Sequence, residues 1–404
     1  MGYGNRTQGS TGVHDRLWAR ALLLADENRC WGIVACDLRC LNAESVREAR
    51  VAIQRRLGLS ASDLFICTTH THSGPHDRDP ENWDQPLAER LADAVQEAYA
   101  ALQPARLGSG YGLLYGSSVN RRWLDRPIDP SVAVVRVEAE DGHLLGLVTS
   151  FGCHPVVLGY DNYQISADWP GYAAAHIEQR LGSGVTCLFL QGGGGNVNPL
   201  VTGVRHALQS GRQVTSIGNI STYYGQPLSA ELNDIEPYNI GDRKGGTFAE
   251  VAELGTAFAG EVLKVYNTIV TSGLIVPIWS EQLNLDAAAA PDYATDTQNS
   301  AQVPAEIMLL AVNGILFFGQ PGEVFSETSV WWRSHLRSMG YRTPMIIGHA
   351  NGWLSYLPEP ADFLEGGYEI QRAQGEGTHS QFQQIVRREV RSVLRRHADR
   401  ADFE

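Results

Sequence analysis

Apolar residues fall along this 404-residue chain in short runs that alternate between two periods. Trp31 to Cys36 and Leu64 to Thr69 are continuous apolar runs, as expected of strands buried on both faces. Between them Val46, Ala49, Ile53 and Leu57 recur at helical spacing, with Asn42 placed to cap the helix and Gly58 to end it. A second amphipathic helix is predicted over Leu87 to Leu102. Beyond Pro104 strands dominate: Val132 to Val137 and Leu144 to Ser150 flank Asp141-Gly142, a hairpin turn pair. Tyr172 to Leu181 reads as a helix, and Val185 to Leu190 as a strand entering a glycine loop. Thr247 and Glu250 form a capping box before a helix that runs to about Tyr266. Ile307 to Val312 and Ile315 to Phe318 flank Asn313-Gly314, a second hairpin, and a helix from about Val324 to Met339 follows.

These elements predict an α/β fold, a single mixed α/β domain over 1–404 without internal repeats. Residues 200–245 interrupt the pattern: they are polar, contain glycine, and are marked by Tyr223, Tyr224 and Tyr238. A stretch of this length without periodicity is often functional, so a lid over a pocket and a surface insertion stand as equal expectations.

Composition narrows the partners. A formal net charge of -13 disfavours nucleic acid, because phosphate binding needs clustered Lys and Arg. The one basic run, Arg387-Arg388 to Arg395-Arg396, lies on a terminal helix and reads as a solvated face. The six cysteines sit mostly in strand-like apolar runs, and Cys36 and Cys40 have no second Cys/His pair nearby to complete a zinc knuckle. Buried free thiols in a reducing compartment are the expectation. No apolar run is long enough to span a membrane, and the start of the chain lacks a secretory apolar core. Met1-Gly2 opens like a myristoylation signal, but Arg6 stands where Ser or Thr is required. The expected location is cytoplasmic and the expected partner a small-molecule or N-acyl substrate; a homo-oligomer is left open.

The sharpest chemical signal is Thr69-His70-Thr71-His72-Ser73-Gly74-Pro75, at the end of a buried strand. Strand alternation would put His70 and His72 on one side, where two imidazoles suit a zinc-type divalent metal. His154, in Phe151-Gly152-Cys153-His154-Pro155, has the same place after an apolar strand, where sites of α/β proteins collect. Glu323, in Gly319-Gln320-Pro321-Gly322-Glu323, reads by itself as an acid in the first turn of a helix. Gly192-Gly193-Gly194-Gly195-Asn196-Val197-Asn198-Pro199 lacks both P-loop and Rossmann spacing. A backbone loop close to substrate, offering N–H groups to an oxyanion, is the better reading.

In these segments the chain resembles the catalytic domain of the neutral, non-lysosomal ceramidases, from Gly12-Val13-His14 to Gly377 and in family order. The string at 69–75 is specific to that family, and Phe151-Gly152-Cys153-His154 is similar to its second histidine segment. Ala167-Asp168-Trp169-Pro170-Gly171-Tyr172, Gln320-Pro321-Gly322-Glu323, Ala350-Asn351 with Tyr356, and Tyr368-Glu369 match further family segments. The resemblance implies a zinc ion (Zn2+) held by His70, His154, Glu323 and Tyr356, with His72 and Tyr368 beside it. It implies hydrolysis of an amide by metal-activated water, with His72 moving a proton and Tyr356 either ligating zinc or steadying the oxyanion. Asn198 and the glycine-loop N–H groups are expected oxyanion or substrate contacts. Gly194, Gly195, Asn196, Arg121 and His14 complete the expected substrate-binding set.

Three departures bear on substrate. The family carries a serine where this chain has Asn198, which cannot act as a nucleophile, so an acyl-serine route is excluded there. Long members add an immunoglobulin-like domain after the catalytic motifs, and Met1 falls inside the family's first segment, which leads to the expectation of a missing N-terminal strand. These departures keep an esterase, an N-acyl-sugar or amine deacylase, a glycosidase and a non-catalytic binding homologue open beside the amidase.

Overall fold

Alternation within the apolar runs decides how the sheets are covered. A computed structural model of the chain describes residues 2–3, 6–78, 83–123, 126–182, 184–200, 246–273, 278–288 and 302–401. Apart from Leu200, the lid expected at 200–245 lies outside the described residues.

The first part of the chain runs β1 (Gly12–Val13), β2 (Ala19–Ala25), β3 (Cys30–Cys36), α1 (Ala43–Leu57), β4 (Leu64–Thr68) and α2 (Leu87–Ala100). Next come β5 (Ala105–Leu113), β6 (Ser118–Asn120), β7 (Ser131–Ala139), β8 (Leu144–Phe151), β9 (Gln164–Ile165), α3 (Asp168–Leu181), β10 (Thr186–Gln191) and β11 (Val197–Pro199). The remainder begins with α4 (Phe248–Tyr266), β12 (Trp279–Asp286), β13 (Pro304–Val312), β14 (Ile315–Gly319), β15 (Glu323–Val324) and α5 (Ser326–Ser338). It ends with β16 (Thr343–Ile347), β17 (Tyr356–Leu357), α6 (Pro360–Glu365), α7 (Tyr368–Gly375) and α8 (Phe382–Ala401).

Three larger sheets form, ordered β2-β3-β4, β10-β8-β7-β5 and β12-β13-β14-β16, giving the expected mixed α/β fold. Each contains one parallel pair: β3 with β4, β8 with β10, and β14 with β16. On β4, Phe65 and Cys67 enter a core shared by all three sheets, while Leu64 and Ile66 face Val46 and Ile53 of α1 and Leu91 of α2. On β14, Ile315 and Phe317 enter the shared core, and Leu316 and Phe318 meet Trp332 of α5 and Val386 of α8. On β7, Ala133 and Val135 point inward, and Val132 and Val134 meet Ile177 of α3 and Phe258 of α4. Because both faces are buried, these strands read as continuous apolar runs with no polar alternation. Truncating a fully buried ring such as Phe317 to alanine costs about 3–5 kcal/mol.

Local signals hold the elements in register. Asn42 Oδ1 accepts the Ser45 N–H at 2.9 Å, and Gly58 ends α1 in the left-handed region at φ 72°. Asn313 and Gly314 both take positive φ, 49° and 75°, as a two-residue hairpin turn requires. The Thr247/Glu250 capping box is formed at the start of α4. Thr247→Ala is therefore expected to lower unfolding free energy by about 1 kcal/mol, read as a lower urea midpoint by circular dichroism.

Two boundaries differ from the sequence reading. Helix α3 begins at Asp168, ahead of Tyr172, because Pro170 falls in the first turn, where backbone N–H groups have no helical partner to lose. Helix α5 begins at Ser326 because Glu323 and Val324 are taken into β15, which pairs in parallel with β17. All six cysteines are free, five of them buried, in line with the expectation of buried thiols. Among the described residues no helix is long and apolar enough to cross a membrane.

Candidate metal centre

The carboxyl ends of the paired strands meet at one place, as expected for open α/β sheets. His70 follows β4, His154 follows β8, the glycine loop follows β10, Glu323 follows β14 and His349 follows β16. Backbone bonds lace these ends together: Gly348 N–H to Gln191 O (2.9 Å), His349 N–H to Gly322 O (3.0 Å), and Asn351 N–H to Ile66 O (2.8 Å). His70 and His72 do meet, but not by strand alternation. Strand β4 ends at Thr68, and His70 sits at φ 70°, so a left-handed bend turns its ring towards His72.

Each of the three histidines is anchored through Nδ1 to a backbone carbonyl. His70 Nδ1 donates to Arg39 O (2.7 Å), His72 Nδ1 to Gly2 O (3.0 Å) and His154 Nδ1 to Gly194 O (2.6 Å). A carbonyl can only accept, so each neutral ring carries its proton on Nδ1 and turns the Nε2 lone pair inward. His70 Nε2 and His72 Nε2 are 3.2 Å apart, and the ligand atoms of His70, His72 and His154 all lie within 4.8 Å of one another. Burial pushes the His72 ring well below its ordinary range, and burial with the nearby Arg121 charge lowers His154 to about 4. Lone pairs crowded in this way repel unless a cation sits among them. This group could hold a metal ion.

Glu323 supplies the anionic partner. Its Oε2 lies 2.8 Å from His154 Nε2 and 3.6 Å from His70 Nε2, yet accepts no hydrogen bond of good geometry. Burial pushes the carboxyl up, but positive charge on the facing His70 and His154 rings, in their protonated forms, outweighs it and holds Glu323 well below its usual range. An ionised, buried carboxylate oxygen without a hydrogen-bond donor, facing imidazole lone pairs, is a fitting cation ligand. The β15–β17 pair sets Glu323 opposite Tyr356. Burial raises the Tyr356 phenol well above its ordinary value.

Arg121 joins the remaining parts. Its Nη2 donates to Tyr356 Oη (2.8 Å), its Nη1 lies 3.3 Å from both Asn198 Oδ1 and His154 Nε2, and its Nε donates to Glu369 Oε1 (2.8 Å). The Tyr368 ring stands edge-on to Tyr356 with centroids 5.7 Å apart.

Other expected substrate contacts are placed differently. Asn196 Oδ1 accepts the Ser326 N–H and its Nδ2 donates to Glu327, so this side chain anchors the start of α5. The Gly194 and Gly195 N–H groups donate to Gly192 O and Val324 O, which removes them as oxyanion donors in this arrangement. The loop's glycines serve close approach: a Cβ on Gly195 would lie 2.6 Å from the Glu323 carbonyl oxygen. His14 is exposed, stacked on Phe248 at 3.6 Å and bonded to Asp15.

Two residues at the site escaped the sequence reading. His349 stacks on His70 with centroids 3.9 Å apart, and its Nδ1 has no hydrogen-bond partner. The signal was present, since His349 follows the apolar strand β16 as His154 follows β8. Glu369 is fully buried between Arg121 and Arg122; the segment Tyr368-Glu369 contains it, but nothing local in the sequence gives it this role.

No family model matches the chain. It is 23% identical to the neutral ceramidase of Pseudomonas aeruginosa, over 95% of this chain and 68% of that protein. It is 21% identical to the neutral ceramidase of Mycobacterium tuberculosis, over 91% and 70%. The fold matches the crystal structure of the P. aeruginosa neutral ceramidase with a TM-score of 0.71 at 18% identity, covering 94% of this chain and 69% of that one. Similarity along more than nine-tenths of the chain, together with this shared fold, makes the neutral ceramidases the family that the chain resembles.

Proposed function

We propose that this chain is a zinc-dependent amidohydrolase that cleaves N-acyl bonds by direct attack of water. The observation that carries the reading is the convergence of Glu323 Oε2 with imidazole Nε2 atoms whose Nδ1 protons are already committed to backbone carbonyls. His70, His154 and Glu323 would hold the ion, with Tyr356 as the fourth ligand; nitrogen and carboxylate donors suit zinc. When bound, zinc supplies the charge that polarises a carbonyl and lowers the pKa of water to about 7 in sites of this type.

The protein's own groups then divide the remaining work. His72 Nε2, unprotonated and facing the same centre, takes a proton from water and delivers it to the leaving nitrogen. The Arg121 guanidinium, held in place by its bond to Tyr356 Oη, offsets negative charge as it develops on the carbonyl oxygen. Asn198 Oδ1 orients Arg121 and has no nucleophile to offer, which favours single-step water attack over an acyl-enzyme. Tyr368, edge-on to Tyr356, is assigned to orienting water or substrate. Six free thiols suit a reducing compartment, and we place the protein in the cytoplasm on that ground.

The test is a panel of N-acyl, O-acyl and glycosidic chromogenic substrates, run with the zinc-loaded protein and again after chelation. Cleavage of the N-acyl substrate at least about tenfold faster than the others, lost on chelation and restored by zinc, is expected. Turnover confined to the ester or glycoside, or unaffected by metal removal, overturns the proposal.

A further inference from the structure

The start of the chain lies against the histidine assigned to proton transfer. Gly2 N–H donates to the His72 carbonyl at 3.1 Å, and His72 Nδ1 donates to the Gly2 carbonyl at 3.0 Å. One residue thus pairs with both the backbone and the ring of His72. Tyr3 is buried, its hydroxyl donating to Leu158 O (2.6 Å) and its ring 5.0 Å from that of His72. The Arg6 guanidinium covers Tyr3 at 4.7 Å and donates to the carbonyls of His72 (2.6 Å), Gly159 (3.0 Å) and Tyr160 (3.2 Å). Gly159 and Tyr160 lie shortly after His154. Arg6 therefore ties the loop after β4 to the loop after β8.

The Gly2 carbonyl has a chemical consequence. Because it can only accept, it keeps the proton of neutral His72 on Nδ1 and leaves Nε2 as a lone pair towards His70. Without that carbonyl the ring is free to carry its proton on Nε2, where it could not accept one from water. The position also admits only glycine, since a Cβ on Gly2 would lie 2.6 Å from Cα, Cβ and Cγ of His72. No flexible side-chain tip is involved, so relief requires moving His72 itself.

We propose that Gly2, Tyr3 and Arg6 form a clamp in which Gly2 is the positioning residue for His72, holding its ring with Nε2 turned inward, while Arg6 locks the clamp to both histidine loops. The role rests on the hydrolytic reading above, but the tautomer it requires belongs to the folded protein before any metal or substrate is added.

The test uses the full chain, metal-free and labelled with 15N-histidine, with the His72 ring signals assigned from a His72→Gln variant. Long-range proton–nitrogen spectra at neutral pH are expected to show the wild-type proton on Nδ1. In Gly2→Ala and in Arg6→Ala, the latter adding no bulk, the ring should shift towards mixed tautomers. After zinc loading, kcat should fall about 10–100-fold at little-changed KM, with Arg6→Lys recovering part of it. A wild-type proton on Nε2, or a tautomer unchanged in both variants, overturns the proposal whatever the activity does. A wild-type Nδ1 proton that shifts in the variants, in a protein that cleaves no amide, supports the clamp and sinks only the hydrolytic reading.

Discussion

His154→Ala is expected to remove both bound zinc and measurable turnover, a loss of at least about a thousandfold in kcat/KM. The substitution deletes the imidazole whose Nε2 stands 2.8 Å from Glu323 Oε2, leaving a buried carboxylate beside an empty space. It also removes the ring proton shared by the carbonyls of Gly194 and Val197, at 2.6 and 3.1 Å. Those carbonyls then depend on water entering the void, at a cost of about 1–3 kcal/mol if it does not. Elemental analysis of the purified variant, beside turnover, separates the two losses. His14→Ala is the matched control, because that exposed ring bonds Asp15 and stacks on Phe248, and it should keep full zinc. Full activity in zinc-free His154→Ala protein would end the metal mechanism.

How far the sequence discloses this site depends on the kind of contact each residue makes. The strands were legible because both faces are buried: Leu64 and Phe65 serve opposite cores, yet each is apolar, so the run stands out. His70 and His154 were legible because each directly follows such a run. His349 obeys the same rule after β16 and was passed over. Glu323 was ambiguous by nature, since an acid three residues ahead of a helix looks the same whether it faces N–H groups or imidazoles. Only the pairing of β15 with β17 turns it inward and brings Tyr356 opposite, and two-residue strands leave no periodic trace. The glycine loop gave the opposite difficulty. Its composition announces close backbone approach but not the object approached; at Gly195 that object is the Glu323 backbone.

Glu369→Gln is expected to lower unfolding free energy by about 3–5 kcal/mol while leaving the zinc ligands in place. Glu369 is fully buried and accepts from Arg121 Nε at 2.8 Å and Arg122 Nη1 at 3.2 Å, so one carboxylate neutralises two buried guanidinium groups. Burial opposes the Arg121 charge, but Tyr356 and Glu369 outweigh it and raise its pKa, so the arginine cannot respond to the lost partner by giving up its proton. Arg122 retains Glu365 at 3.3 Å; Arg121 keeps hydrogen-bond partners that are neutral, Tyr356, Asn198 and His154, with the Glu323 carboxylate acting on it only at longer range. The unpaired charge has two outlets, a less stable fold or a guanidinium that swings away from Tyr356, and the second also removes the donor facing the developing oxyanion. Urea unfolding, zinc content and kcat measured together resolve them: zinc retained, midpoint lowered and kcat reduced is the expected pattern, opposite in its metal readout to His154→Ala. A variant within about 1 kcal/mol of wild type with unchanged kcat would mean that Glu369 is not the counter-ion that keeps Arg121 charged and aimed.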